Sequence, residues 1–386
     1  MRQARPLEAG VHATRHWSDA AWALRDRLLT SPQFRRWAEG FGPARWVARR
    51  RAAQLFDLLA GFVYSQVLLV CVRVRLLELL AEQGPQSLQA LAQQLALPLP
   101  AAERLVRAAV ALRLLEARPL RRYGLGVLGA PMVGNSGLAA MVEHHEALYR
   151  DLADPVALLR RPDGRGALAD FWPYAGAVEP GALEAQDVAA YSSLMAVSQP
   201  LVAEQVLQAY SMRRHRRLLD VGGGEGVFAC AAARQAPQLQ VQVFDLPSVV
   251  ERAHERFGRA GVAQRCSVQG GDFLSDELPG GADLVSLLRV VHDHDDERVF
   301  RLLAAVRRAL PAGGRLLLAE PMAETSGAEA MGDAYFGFYL LAMGRGQART
   351  EARLREMLQA SGFGQVRRLK TRMPLQTSVL LATAGA

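Results

Sequence analysis

The chain has 386 residues, half of them hydrophobic, which is ample for a large core and for two domains. Its formal net charge is +8, yet residues 1–51 set eleven arginines against only Glu8, Asp19, Asp26 and Glu39, a local surplus of +7 that leaves +1 for everything else and argues against a strong phosphate-binding footprint there. Cys71, Cys230 and Cys266 are scattered without metal-like spacing, and no apolar run follows the first basic residues, so a disulfide framework, a zinc site and a secretory leader are not expected.

Residues 1–55 read as a basic extension that holds Trp17, Trp22, Trp37 and Trp46, four of the five tryptophans. Ser31-Pro32 followed by Gly40 has the marks of a short helix: a capping hydroxyl, proline in the first turn and a terminating glycine. Phe34, Trp37 and Phe41 share one side of it, and Trp17, Ala21, Leu24 and Leu28 share a face of the preceding segment. Aromatic faces edged by arginine suit the interface of an anionic membrane, which makes residues 1–51 a candidate for peripheral lipid contact. Packing on the protein's own surface or on a partner subunit is the plainer reading and is preferred from sequence alone. The longest charge-free apolar stretch, Leu58 to Val72, is broken by Gly61, Tyr64, Ser65 and Gln66 and falls short of the ~20 residues of a spanning helix. A cytoplasmic protein, peripheral at most on the cytoplasmic face of a membrane, is the expectation.

Residues 56–200 form a helical domain. Phe56 to about Leu80 is helical and apolar, and two amphipathic helices flank Leu97-Pro98-Leu99-Pro100, with stripes at Leu88, Leu91, Ala92 and Leu95 and at Leu105, Ala109 and Leu112. Ala117 to Gly124 reads as a hairpin, which completes a winged-helix outline. Arg104, Arg107, Arg113, Arg121 and Arg122 admit a nucleic-acid reading, but Glu103, Glu116 and the low charge of the region favour a dimerisation module. Phe171, Trp172 and Tyr174 make an aromatic patch. His144 and His145 are adjacent and diverge on a helix, a poor metal pair.

Residues 201–386 alternate strands and helices, with strands near 217–221, 240–245, 263–269, 282–288 and 314–320 and an antiparallel pair near 364–371 and 376–383. This is the pattern of an α/β, Rossmann-like, doubly wound sheet. Arg217 to Val221 turns into a glycine cluster, where Gly222 and Gly224 let a ligand approach the backbone. A dinucleotide fingerprint requires glycine at 227, where this chain has Val227. Asp220 beside the turn suits a ligand with an ammonium and a sulfonium, and S-adenosyl-L-methionine is such a ligand. Asp245 closes the second strand, placed for ribose hydroxyls with Leu246 beside it, and Asp272 and Phe273 follow the third, placed for adenine.

The fourth strand delivers Arg289-Val-Val-His292 to the same edge. Transfer of a methyl group to an alcohol requires loss of the hydroxyl proton, and neutral imidazole is the usual acceptor near pH 7. Glu320, ending the fifth strand, is placed to orient the ring. His292 as a capping or core histidine is the alternative. A metal shared with His294 is not expected, because alternate residues diverge.

These residues carry a resemblance. Leu219-Asp-Val-Gly-Gly-Gly224, Phe244-Asp-Leu-Pro247, Gly271-Asp272, Arg289-Val-Val-His-Asp293, Ala319-Glu-Pro321 and Arg349-Thr350 resemble the O-methyltransferases that join a winged-helix dimerisation domain to a class I methyltransferase sheet. The resemblance spans about residues 56–386 and implies His292 as base, Asp245 on the ribose, Asp272 with Phe273 on the adenine, and a homodimer. Two positions depart from it: Ala348 where a second glutamate is frequent, and His294 where tryptophan is common. The stretches Trp22 to Leu29, Gln33 to Trp37 and Phe56 to Val67 look like the bacterial carotenoid O-methyltransferases, which act on 1-hydroxycarotenoids such as demethylspheroidene and hydroxyneurosporene. That implies an apolar carotenoid acceptor, with Phe336, Tyr339 and Met343 lining its channel. A bacteriochlorophyll-type macrocycle or a small phenol stays open as acceptor, as does a winged-helix regulator with a degenerate methyltransferase fold.

Overall fold

The computed structural model describes residues 17–161, 166–172, 185–375 and 377–385. The chain divides into two units, residues 1–70 and 71–386. Tyr174 and residues 1–16 lie outside the described residues.

In the first unit, α1 (Trp17–Thr30) and α2 (Pro32–Gly40) precede α3 (Gly42–Arg73), which runs across the boundary. The Ser31 hydroxyl accepts the Phe34 N–H at 3.3 Å and Pro32 opens α2, so the capping signal works as its chemistry dictates. Trp37 and Phe41 stack at 5.1 Å, the Arg25 guanidinium lies 4.2 Å from the Trp22 ring centre, and Trp22, Trp37 and Trp46 are more than half exposed. The apolar stretch read as too short to span a membrane lies inside a helix of 32 residues, one that is long and apolar enough to cross by length and composition.

In the second unit, the helix expected to continue to Leu80 breaks at Arg75, whose φ of 52° is left-handed, and restarts as α4 (Leu76–Gln83). Strand β1 (Gln86–Ser87) leads to α5 (Leu88–Gln94), α6 (Leu99–Ala111) and the antiparallel hairpin β2 (Leu115–Arg118) and β3 (Arg122–Leu125), in sheet order β1-β3-β2. This is the winged-helix outline. Its buried stripe on α6 runs through Ala102, Val106 and Ala109, one position aside from the leucines. Helices α7 (Ser136–Asp151), α8 (Pro155–Arg160), α9 (Ala167–Asp170) and α10 (Ala185–Ala209) follow.

The large sheet then builds from β4 (Arg217–Val221), α11 (Val227–Gln235), β5 (Gln240–Asp245), α12 (Pro247–Ala260), β6 (Cys266–Gly270), β7 (Leu284–Leu288), α13 (Asp296–Ala309), β8 (Arg315–Glu320), α14 (Phe336–Met343), α15 (Glu351–Ala360), β9 (Phe363–Leu369) and β10 (Ser378–Ala384). Strand order is β6-β5-β4-β7-β8-β10-β9, parallel except that β10 runs antiparallel to both of its neighbours. Near-continuous burial of β4, β7 and β8 follows from helices covering both faces. Phe228 and Phe257 anchor one layer, Leu302, Leu303 and Met357 the other. The order reverses at β4, whose neighbours are β5 and β7, so a crevice opens at the carboxyl ends there.

Candidate active site

The floor of the crevice is the turn after β4. Gly222 has a φ of 67°, and a Cβ on it would stand 2.6 Å from Val290 Cγ2, so both conformation and close approach require glycine. A Cβ on Gly224 would project into open space, which leaves that surface free for a ligand. The Gly224 N–H donates to Asp245 Oδ2 at 2.7 Å and the Leu246 N–H to Oδ1 at 2.7 Å. Burial pushes the Asp245 carboxyl up, and these two backbone donors oppose that by favouring the anion.

Gly222, Gly224, Asp245, Leu246, Asp272, Phe273 and Arg289 all line one cavity. Asp220 differs. It is 1% exposed beneath the turn: a Cβ on Gly223 would meet its Oδ2 at 2.6 Å, and its Oδ1 accepts the Ser286 hydroxyl at 2.5 Å. Burial raises its carboxyl to about 7. It braces the glycine turn from below, and the cavity wall is left to the others. Arg289 has a φ of 57°, an unfavourable left-handed conformation for a residue with a Cβ, and its guanidinium donates to Ser198 Oγ at 2.9 Å.

A turn at Val291–Asp293 carries His292, which is 8% exposed, off the end of β7. Its Nδ1 lies 2.6 Å from Glu320 Oε2, while Glu320 Oε1 accepts the N–H groups of Val290 at 3.0 Å and Val291 at 2.7 Å. Its Nε2 faces Asp293 Oδ1 at 3.1 Å. Burial works against the imidazolium, but Asp293 and Glu320 outweigh it and hold the histidine above its ordinary value. Burial also lifts Asp293, to about 6.

A π-helical turn, Ala330–Tyr335, leads into α14 and sets Phe336 edge-on to His292, 5.9 Å between ring centres. Met343 lines the cavity; Tyr339 is 5% exposed in the apolar cluster behind it. The Tyr339 hydroxyl meets His144 Nε2 at 2.8 Å and the Tyr335 hydroxyl meets His145 Nε2 at 2.8 Å. The adjacent histidines thus reach tyrosines one helical turn apart. Burial, with His145 beside it, lowers His144 to about 4.

Several lining residues carry no local motif, among them Trp172 and Met195, which come from the helical segment before the sheet. Arg349 is buried and donates to the carbonyls of Val291 at 2.9 Å and His294 at 2.7 Å, clasping the turn that bears His292. The Arg-Thr pair marked the place without revealing this reach.

Residues 149–364 match the O-methyltransferase domain family and residues 56–135 the O-methyltransferase dimerisation domain family. The chain belongs to the O-methyltransferase family. It is accordingly an S-adenosylmethionine-dependent enzyme. It is 44% identical to demethylspheroidene O-methyltransferase of Cereibacter sphaeroides, over 92% of this chain and 93% of that one. With the protein of the same name from Rhodobacter capsulatus it shares 42% identity, over 88% and 84% of the two chains. Human N-acetylserotonin methyltransferase, solved in complex with SAM, superposes with a TM-score of 0.72 at 24% identity over 87% of this chain and 98% of that one, which shows the shared fold.

The cavity suits that cofactor. The open surface at Gly224 and the half-buried Asp245 carboxylate fit a ribose, Leu246 and Phe273 fit an apolar base, and the carboxylates lie where a cationic donor is favoured.

Proposed function

We propose that this O-methyltransferase methylates the tertiary C-1 hydroxyl of an acyclic 1-hydroxycarotenoid, with His292 as general base, and works as a homodimer. The observation that supports the reading is the His292–Glu320 pair, 2.6 Å from Nδ1 to Oε2, with Phe336 edge-on to the imidazole and the neighbouring Asp293 lining the cofactor cavity. S-adenosylmethionine supplies an electrophilic methyl group when bound. His292 Nε2 would take the proton of the acceptor hydroxyl as that oxygen displaces the sulfonium sulfur from the methyl carbon, the C–S electron pair leaving with a neutral thioether. Glu320 fixes Nδ1 as the protonated nitrogen and stabilises the imidazolium that results. Arg289, Asp245, Asp272 and Leu246 hold the donor, and Asp220 acts on it only through the turn it supports. Positioning of donor and hydroxyl supplies much of the acceleration.

The carotenoid assignment is supported by the two demethylspheroidene O-methyltransferases, matched over most of both chains, and by the apolar cluster of Met343 and Trp172, against which Phe336 packs beside His292. The dimerisation match supports the homodimer. Exposed tryptophans with arginines at their faces support residues 1–51 as an arm that meets the cytoplasmic face of the membrane holding such a pigment.

The test is an assay of detergent-dispersed 1-hydroxycarotenoids with a labelled methyl donor and the product mass, run beside small phenols and bacteriochlorophyll-type macrocycles. Methyl transfer to the carotenoid alone is expected. Transfer confined to a phenol or macrocycle overturns the substrate, and absence of transfer with salt-sensitive DNA binding overturns the enzyme. Flotation with anionic liposomes, with and without residues 1–51, tests the arm.

A further inference from the structure

Methyl transfer leaves a proton behind. The acceptor enters as a neutral alcohol and departs as a neutral ether, so the proton surrendered to His292 needs its own way out of the site. Nδ1 offers no exit, because Glu320 Oε2 holds it at 2.6 Å from a side chain that is itself buried. The proton must leave from Nε2, on a ring that is also buried.

Asp293 stands beside that nitrogen. Its Oδ1 lies 3.1 Å from Nε2 yet makes no hydrogen bond, so it sits off the axis of the nitrogen lone pair and leaves that lone pair open to a hydroxyl. Oδ1 is closed off from solvent, Oδ2 is not, and the side chain, 16% exposed, lines the donor cavity. One carboxylate thus meets the imidazole with one oxygen and the cavity with the other. Burial lifts Asp293 to about 6, opposed by the charges of His292 and Arg289 and reinforced by Glu320. An acid in that range takes a proton from an imidazolium at small cost and yields it to water near pH 7.

We propose that Asp293 carries the proton away from His292 after methyl transfer. The Nε2–H bond breaks as an O–H bond forms at Oδ1, which returns the imidazole to its neutral form. A half-turn of the carboxyl about Cβ–Cγ then presents the acid to water entering the cavity, and that water accepts the proton. The inference rests on His292 as the base and goes beyond it, since a base that stays protonated works only once.

Rapid-quench measurements with labelled S-adenosylmethionine and a detergent-dispersed 1-hydroxycarotenoid separate the first turnover from those that follow. In Asp293→Asn the later turnovers should slow about tenfold or more beyond any loss in the first. Equal losses in both phases place Asp293 in the transfer itself or in the fold alone, and overturn the proposal. His292→Ala separates this inference from the reading beneath it. A first turnover that survives in His292→Ala strikes the base and the relay together, whereas its loss there, beside equal losses in Asp293→Asn, strikes the relay alone. Should Asp293→Asn fail to fold, infrared difference spectra of the otherwise unaltered protein with carbon-13 in its aspartates decide. A carboxylic acid C=O band that shifts with the label is expected to rise after methyl transfer and then decay, and its absence overturns the proposal.

Discussion

Glu320 and His292 form a coupled unit: one carboxylate oxygen holds the imidazole Nδ1 at 2.6 Å, and the other takes the N–H groups of Val290 and Val291 in the turn that carries the ring. Orientation and charge thus come from a single buried side chain, 2% exposed. Glu320→Gln keeps the shape but presents a neutral amide to Nδ1, which neither fixes the tautomer nor stabilises the imidazolium. Turnover should fall by about a hundredfold or more, with S-adenosylhomocysteine affinity nearly unchanged by calorimetry. Undiminished turnover would remove Glu320 from the chemistry.

The pH profile follows from the same pair. Asp293 and Glu320 outweigh burial and hold His292 above 6.5. The proposed mechanism needs His292 as neutral imidazole, so it requires turnover to rise with pH and level off only above that value. Stability runs the other way. A histidine whose folded value is raised contributes stabilisation that is complete below its unfolded value and is lost as pH rises through the folded one. Asp293→Asn removes one of the two carboxylates, and the kinetic inflection should shift to lower pH. An inflection that stays in place in that variant refutes the coupling.

For the cofactor, Asp245 is the discriminating position. Its two oxygens accept the N–H groups of Gly224 and Leu246, so the carboxylate shapes the turn as well as facing the cavity. Asp245→Ala should weaken S-adenosylhomocysteine binding by about 1.5–3 kcal/mol, a loss of roughly ten- to a hundredfold. Calorimetry measures it, and circular dichroism checks that the fold survives. Affinity within twofold of the unaltered protein would leave the ribose without its assigned partner.

The sheet was legible because buried parallel strands announce themselves: apolar runs ending in glycine or an acid recur at β4, β5 and β6, and each lies within a residue or three of its expected place. Legibility stopped where neighbours in space decide. Asp220 ends an apolar run just as Asp245 does, yet the turn folds over it and Ser286 on the adjacent strand claims it. The break at Arg75 has no glycine or proline to signal it, since the cost of one left-handed residue is absorbed by packing of Leu76, Leu77 and Leu80. His144 and His145 gave no sign of Tyr339 and Tyr335, which lie some 190 residues on.

Arg349 offers the sharpest separation of positioning from chemistry, because it touches neither reacting atoms nor cavity. It is 4% exposed, and its guanidinium spans the Val291 carbonyl, the His294 carbonyl and Asp296 Oδ1, the last through Nε at 2.8 Å. These partners flank His292 on both sides, so the planar fork fixes the loop as one piece. Arg349→Met leaves the carbonyls of Val291 and His294 short of a donor, while Asp296 keeps Arg353 and Gln347, and should cost about 2–4 kcal/mol in unfolding free energy. Arg349→Lys keeps the charge but cannot reach all three acceptors together. It should lose less, about 1–3 kcal/mol, while turnover drops because the imidazole loses its fixed placement against Glu320. Urea unfolding and steady-state kinetics read the two effects separately. A lysine variant with lowered stability and full turnover would show that Arg349 serves the fold alone, whereas loss of turnover at unchanged donor affinity ties it to the base.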